Sequence, residues 1–521
     1  MYVLNDRNYT NMKTYYDYMA ELSAEDVRKG LLGYGLFADK LPNFLSAETF
    51  FTYCNQEGFP TFTQNGGWDY VRYDSIRNTN ITRNLAIPTP FAYSNLCNGI
   101  ALQWTEILLH FQSQSDKMRY KHSQIHIQKL DDKPYLFEMT HNYHDKDEYV
   151  NAIIQRLPIK KRYVVKADIS SCFPSIYSHA ISWALVGKDI AKAHKNGNVW
   201  YNKLDEQSRH LKYNETCGLL IGPHTSNILS EIILTTVDAI LSKKYDFVRH
   251  IDDYTCYVST EDEAEKFLLD LSGELKKFEL SLNVKKTIIA RLPLSSDTSW
   301  INAINEFYIG GEKREEDKKT IFVYVRLKAF IDMCMHLVDV TGDSAIYNYM
   351  IKVVSSCYLG KKARCFYIDV VHHLLLLYPY LVHCIEECVF VPFSVSKARI
   401  EEIANQLYEI GVQKHLYEAC SYALYWAIKY DFNITSAYVD EAIQSSDCIF
   451  LLLAHIKANH VKDSEGQHKL REEALKRKDE IDRYWLFVYE VLPKTALVED
   501  YKRIKNRGIT FLRPEFQLRK R

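Results

Sequence analysis

The sequence predicts an α+β fold in which an antiparallel sheet is backed by helices, followed by a half that is helical almost throughout. Three observations carry this. Between residues 163 and 289 the patterns run strand, helix, hairpin, helix, strand, the order of an antiparallel sheet with helices packed on it. Residues 247–258 hold two short runs of β-branched and aromatic residues around Asp252-Asp253, which reads as a hairpin with both carboxylates at its tip. From Ile321 onward, apolar residues recur at helical spacing nearly to the end.

Length and composition set the frame. At 521 residues the chain exceeds one small domain and divides into a sheet-bearing part, residues 1–295, and a helical part, residues 296–521. A hydrophobic share of 47% and a charged share of 25% are those of an ordinary soluble globular protein. A formal net charge of −1 excludes a globally basic nucleic-acid binder, so any phosphate-binding surface must be a local channel. The 38 tyrosines suit cores and nucleic-acid contacts equally. The 12 cysteines include no Cys-x-x-Cys pair, which favours reduced thiols in a cytoplasmic protein over a zinc site or disulfides. His141 with His144, and His122 with His126, have ligand-like spacing, but nothing nearby completes a set, and they read as surface or packing histidines. The start of the chain lacks a signal-peptide pattern, and the longest apolar run, residues 374–382, is too short to span a membrane.

In chain order, residues 1–53 are mostly helical in pattern, and residues 58–80, with Gly66-Gly67, read as loop or hairpin. Residues 83–88 lead through Pro90 into a helix over 93–113. Basic and aromatic residues interleave over 117–129, as on a phosphate-facing surface or a solvated charged hairpin. Residues 163–169 form a buried-type strand that carries Asp168 near its end, and a helix follows over 179–185. Gly222-Pro223 opens a long amphipathic helix over 225–243, since proline loses nothing at the first helical position. After the hairpin come a charged helix over 260–278 and a strand over 280–289, then a linker at 293–298 and a charged loop at 310–319. Helices are expected over 324–338, 344–358, 364–390, 396–410, 412–429, 436–458 and 467–491, stacked in pairs without a nameable repeat. The basic tail, from Lys502 to Arg521, is either a solvated terminus or a nucleic-acid or partner contact.

The chemistry lies in the aspartates. Adjacent carboxylates repel unless a cation neutralises them, so the hairpin points to a divalent metal, although a plain polar turn is the commoner meaning of such a pair alone. Asp168 shifts the balance. If its strand and the hairpin are neighbours in one sheet, three carboxylates from two strands would hold a pair of Mg²⁺ ions, with Mn²⁺ as the alternative, and share them with substrate phosphates. One ion then activates an attacking hydroxyl while the other steadies the leaving pyrophosphate, which is polymerase chemistry.

These residues resemble the reverse transcriptases. Asp168-Ile169-Ser170-Ser171-Cys172-Phe173 looks like their first palm motif, residues 218–227 like the second, Arg249-His250-Ile251-Asp252-Asp253-Tyr254 like the paired-aspartate third, and residues 282–287 like the fourth, all in order. The likeness extends to the bacterial anti-phage set, the AbiK-type abortive-infection polymerases and related defence-associated reverse transcriptases. It rests there on Tyr177-Ser178-His179 with Trp183 and Gly187-Lys188, on residues 222–227 running into Glu231, and on Trp485-Leu486-Phe487 in a helical C-terminal half. It is strong over residues 75–290.

The resemblance implies a fingers-palm polymerase followed by an all-α, helical-repeat-like domain in place of a thumb. It implies metal binding by Asp168, Ile169, Asp252 and Asp253, with the three aspartates catalytic. Phe173 would stack under the sugar and exclude a 2′-hydroxyl. Gly222 and Pro223 would let backbone approach the incoming base pair, Lys286 would sit by the triphosphate as an acid, and Arg83 would clamp its phosphates. The implied partners are deoxynucleoside triphosphates, a DNA product that some members attach to their own tyrosine, a partner non-coding RNA in others, and further copies of the chain. Two positions depart from the pattern: His250 replaces a common aromatic and Leu220 a usual proline. No RNase H-like carboxylate set is expected downstream. The rival readings are a polymerase fold kept as a scaffold for a phage or host partner, and an RNA-making palm enzyme.

Overall fold

The computed structural model describes residues 15–79, 81–118, 122–123, 127–129, 136–137, 156–194, 199–294, 299–309, 312–317 and 319–517. β1 (Tyr70–Ile76) and β2 (Thr82–Pro88) form an antiparallel hairpin running from Tyr70↔Pro88 to Ile76↔Thr82. β1 turns Val71, Tyr73 and Ser75 inward and Arg72 and Asp74 outward, the two-residue period of a half-buried strand. The hairpin expected over 58–80 therefore reaches further, and residues 83–88 form its second strand. The single helix expected over 93–113 is two, α1 (Pro90–Leu102) and α2 (Trp104–Ser115), interrupted at Gln103. The Trp104 indole starts the second by donating to the Leu22 carbonyl at 3.0 Å.

The central sheet is β3 (Tyr163–Asp168) with three strands from later in the chain. Among the described residues the helices that intervene are the short Cys172–Ser175 and Lys188–Ala193 and the longer α3 (His179–Val186), α4 (Trp200–His210) and α5 (Thr225–Leu241). β4 (Asp246–His250), β5 (Asp253–Val258), α6 (Glu261–Lys276) and β6 (Ile288–Arg291) complete the unit in the strand order β4-β5-β3-β6, every pairing antiparallel. α6 buries Ala264, Phe267, Leu271 and Leu275, one stripe at helical spacing. α5 departs from the amphipathic expectation: its polar Asn227, Glu231, Thr235 and Asp238 are buried along with its apolar residues. The strand expected over 280–289 is broken. Leu282 makes an isolated bridge to Ile169, residues 284–286 turn, and pairing resumes at Ile288.

Apart from a two-residue parallel pairing of β7 (Ile321–Phe322) with β8 (Tyr358–Leu359), the rest is helical. It comprises the helix Ser299–Ile309, α7 (Tyr324–Thr341), α8 (Ala345–Ser355), α9 (Lys361–Leu377), α10 (Lys397–Gln413), α11 (Tyr417–Lys429), α12 (Tyr438–Ser445), α13 (Cys448–His460), α14 (Ser464–Lys476), α15 (Ile481–Val491) and α16 (Glu499–Asn506), with short helical turns between. Three long expected helices are interrupted for identifiable reasons. Residues 364–390 break at Tyr378, whose α conformation the following Pro379 disfavours. Residues 436–458 break where Ser446 is left-handed (φ 56°) and Asp447 caps α13 by accepting from the Ile449 and Phe450 amides. Residues 467–491 break at a 3₁₀ turn over Arg477–Glu480. Among the described residues no helix is long and apolar enough to cross a membrane.

The helical part folds back onto the first hairpin. Trp485 donates its indole N–H to the Ile87 carbonyl at 3.4 Å, Asp482 accepts from the Asp69 amide at 3.1 Å, and Leu45 and Leu512 form an antiparallel bridge. Glu418 on α11, almost fully buried, accepts from the Ile76 amide at 2.5 Å and lies 2.9 Å from His383 Nε2. A buried amide left without its acceptor costs about 1–3 kcal/mol. Glu418→Ala is therefore expected to lower the thermal denaturation midpoint and to speed deuterium exchange at the Ile76 amide; unchanged exchange there would show that Glu418 does not hold the hairpin.

Candidate active site

β3 and β5 pair so that Asp168 and Asp253 stand directly opposite. Such pairs bring Cβ atoms to about 5 Å, and like charges there are destabilising. Asp168 is 5% exposed. The turn differs from the expected Asp-Asp tip. Because His250 pairs with Asp253, the two-residue loop is Ile251-Asp252, and Asp253 already belongs to β5. Ile251 has φ 54°, at a loop position where a β-branched side chain is strained and glycine is usual. Two contacts fix the strained loop: Arg249 Nη1 donates to the Ile251 carbonyl at 2.8 Å, and the Ile169 amide donates to the Asp252 carbonyl at 3.1 Å.

Arg249 is the centre of a network that sequence reading did not assign. Its guanidinium, fully buried, lies 2.8 Å from Glu231 Oε1 and 2.7 Å from Asp238 Oδ2, both also fully buried. Tyr254 donates its hydroxyl to Asp238 at 3.0 Å and Ser123 donates to Glu231 at 3.1 Å. Glu231 and Asp238, two turns apart on α5, share a face. Burial raises the Asp238 carboxyl above its ordinary range against the pull of Arg249. The available signal was two acids at that spacing in an otherwise uncharged helix, followed by an arginine inside a buried strand.

The three carboxylates lie within one another's field. Burial, then Asp252 and Asp168, pushes Asp253 up to about 6. Burial and Asp168 also raise Asp252, which Lys286 and Arg83 partly offset. Lys286 places Nζ 2.7 Å from Asp168 Oδ2, Asn283 Nδ2 donates to Oδ1 at 3.0 Å, and the Asn283 amide donates to the Asp168 carbonyl at 2.7 Å. The break in the last strand explains this, since the turn over 284–286 carries Lys286 back to the carboxylate. Among the described residues no three His, Cys, Asp or Glu side chains stand together in metal-ligand geometry. The donor set nevertheless fits a hard divalent cation: grouped carboxylate oxygens, two of them on acids raised by burial and then by their neighbours' charge, with an ammonium already seated on Asp168.

The other expected site residues are distributed around this cluster. Arg83, exposed on β2, is near enough to act on Asp252 electrostatically. Phe173 is half-buried in the short helix Cys172–Ser175, and its carbonyl accepts from the Leu219 amide at 2.7 Å. Gly222 has φ 126°, and a Cβ there would lie 3.0 Å from the Ala86 carbonyl oxygen. This glycine lets its loop lie against β2, where the Ala86 amide donates to the Ile221 carbonyl at 2.8 Å, and Pro223 beside it is buried. His122 is buried and donates from Nδ1 to the Phe247 carbonyl at 2.8 Å, a packing histidine as expected. His126, His141 and His144 lie outside the described residues, as do residues 119–121, 124 and 125 of the 117–129 stretch and residues 518–521 of the tail.

Residues 115–322 match the family model described as reverse transcriptase (RNA-dependent DNA polymerase). Over those residues the chain is similar to a reverse transcriptase domain. The match contains all four strands of the central sheet and the three carboxylates. Solved structures with weaker likeness include apo telomerase from Candida tropicalis truncated from its C-terminal domain, at 12% identity and TM-score 0.29, over 47% of this chain and 55% of that one. Apo telomerase from the same organism is 11% identical at TM-score 0.32, over 74% of this chain and 70% of that one. Telomerase from Candida albicans with a fragment of telomeric RNA is 12% identical at TM-score 0.28, over 84% and 67%. This chain thus spans about half the length of the first of them. No curated protein matches in sequence.

Two outcomes test the geometry of this site. Removing one partner of a buried ion pair costs about 3–5 kcal/mol, so Arg249→Met is expected to lower the denaturation midpoint sharply, and Arg249→Lys, without the planar fork, should not restore it. The second concerns pH. Asp253 binds its proton more tightly folded than unfolded, so its charge costs stability as the pH rises from about 4 through about 6. In metal-free buffer Asp253→Asn is expected to raise the midpoint above pH 7, with the gain shrinking toward pH 5; a gain that does not vary with pH would refute the carboxylate repulsion.

Proposed function

We propose that Asp168, Asp252 and Asp253 form a two-metal nucleotidyl-transfer site that adds deoxynucleotides to a growing DNA chain. The observation that carries this is the Asp168↔Asp253 register of β3 and β5 with Asp252 in the adjoining turn, within the residues similar to a reverse transcriptase domain. Mg²⁺, or Mn²⁺ in its place, would be held by those carboxylates with the Ile169 backbone alongside, and would supply charge stabilisation for the attacking hydroxyl and leaving pyrophosphate. This chain's own residues orient the rest. Lys286, seated beside Asp168, would sit by the triphosphate as an acid, Arg83 would bind phosphate from the first hairpin, and Phe173 would close the sugar pocket against a 2′-hydroxyl. Gly222 and Pro223 form the loop that spaces β2 from the incoming base pair.

The finer assignment rests on motifs. Tyr177-Ser178-His179, Trp183 and Trp485-Leu486-Phe487 support a role among cytoplasmic AbiK-type anti-phage polymerases, working as a homo-oligomer with residues 1–295 as fingers and palm and residues 296–521 as the helical domain. DNA synthesis is then either started on a tyrosine of the protein without a template or copied from a partner non-coding RNA. The scaffold reading has one observation in its favour, since Lys286 already neutralises Asp168 without a metal.

Purified protein given labelled deoxynucleotides and Mg²⁺ is expected to form acid-stable product, and the double substitution Asp252→Ala, Asp253→Ala should abolish it. Equal labelling by the double variant would sink the polymerase reading, and full protection of cells by that variant would establish the scaffold. Phe173→Val is expected to admit ribonucleotides that the parent protein rejects; an unchanged preference would remove Phe173 from sugar selection.

A further inference from the structure

The sequence segment Tyr177-Ser178-His179 with Trp183 takes no part in the carboxylate site, and it lines a cavity of its own. That cavity, about 590 Å³, lies between α3 and α4, and none of the three carboxylates borders it. Its volume is that of a small-molecule or nucleotide pocket. Tyr177 and Trp183, with ring centroids 5.5 Å apart, form an aromatic wall, and Lys188 lies 4.0 Å over the Trp183 ring. Facing them is a polar cluster built on one buried group. Asp205, 5% exposed, hydrogen-bonds His179 Nδ1 and lies 3.3 Å from Arg209 Nε. Arg209 also donates to Asn214. His179 is 37% exposed, and with Nδ1–H donated to Asp205 its Nε2 is the ring nitrogen left for a ligand, a donor to an anion when the ring is an imidazolium. Lys192 completes the cationic side.

The charges are not one-sided, because Asp205 and Glu206 both line the cavity. Asp205, however, is spent on His179 and Arg209, and Glu206, 46% exposed, lies where solvent screens it. The remaining offer is an ammonium, a guanidinium edge and an imidazole nitrogen beside two aromatic rings. Cationic groups that bind an anion, next to rings that pack a planar group, are what a nucleotide requires. A buried carboxylate that fixes the histidine ring is the support such a site needs to hold its geometry.

We propose that this cavity is a second nucleotide-binding site, which takes the phosphate of a nucleoside monophosphate unit on His179, Lys192 and Arg209 and its base against Tyr177 and Trp183. The unit can be a free nucleotide or part of a single strand, and the two differ in what they bind. The site does not depend on the polymerase reading.

Calorimetric titration of the full-length protein in EDTA, which keeps metal-dependent binding at the carboxylates out of the measurement, would use dAMP, the oligonucleotide (dA)6 and deoxyadenosine. Saturable binding is expected for dAMP, (dA)6 or both, at least tenfold tighter than for deoxyadenosine. Tighter binding of dAMP would identify a free nucleotide, and tighter binding of (dA)6 a strand. His179→Asn keeps a donor for Asp205 but removes Nε2, and it should weaken binding at least tenfold; so should Lys192→Ala, a substitution at an exposed position that leaves the core intact. The proposal is overturned if neither phosphate-bearing probe binds, if deoxyadenosine binds as tightly, or if both variants bind like the parent protein.

Discussion

The structure depends on the burial of Arg249 between Glu231 and Asp238. One guanidinium faces two acidic side chains out of reach of water, and the hydroxyls of Tyr254 and Ser123 complete their hydrogen bonding inside the fold. Such networks are weak sources of stability and strong constraints on position, because the desolvation cost is offset only when every donor and acceptor meets its partner. Here the constraint acts on the hairpin. The same guanidinium that locks β4 to α5 grips the carbonyl of strained Ile251, so the loop carrying Asp252 cannot relax without exposing buried charge. The strain sits beside the carboxylates, and the network is what maintains it.

The second constraint is sheet register. β3 and β5 set Asp168 against Asp253, and burial with mutual repulsion raises two of the three acids toward neutrality. Lys286 partly relieves this, carried there by a turn that breaks the strand after Leu282. In a site assembled this way, each positive charge brought close would relieve repulsion already present in the fold. The helical part contributes at a distance. Through Glu418, Asp482 and Trp485 it holds the first hairpin, and that hairpin carries Arg83 and packs on the Gly222 loop.

Much of this was legible in the residues. The strand ending in Asp168, the hairpin with its aspartates, the charged helix after it and the helical second half all follow from periodicity and turn chemistry. The tip of the hairpin was misplaced by one residue because Asp-Asp looks like a turn pair, whereas the pairing of His250 with Asp253 puts the turn at Ile251-Asp252, a position that isoleucine disfavours and only tertiary contacts impose. The β2 strand was missed because Arg83 and Asn84 interrupt its alternation. Helix breaks at Tyr378 and Ser446 were local signals, a proline and a cap, overridden by long apolar patterns. The Arg249 network required knowing that α5 lies against β4, which no local pattern contains.

The central claim is that the Asp168, Asp252 and Asp253 carboxylates exist to bind cations for nucleotidyl transfer. Titration of the protein with Mn²⁺ in the presence of a deoxynucleoside triphosphate, followed by electron paramagnetic resonance, tests this most directly. Two protein-dependent Mn²⁺ ions per chain are expected, with binding lost in Asp168→Ala and displaced by Mg²⁺. Mn²⁺ binding that is absent, or the same in Asp168→Ala as in the parent protein, would contradict the account.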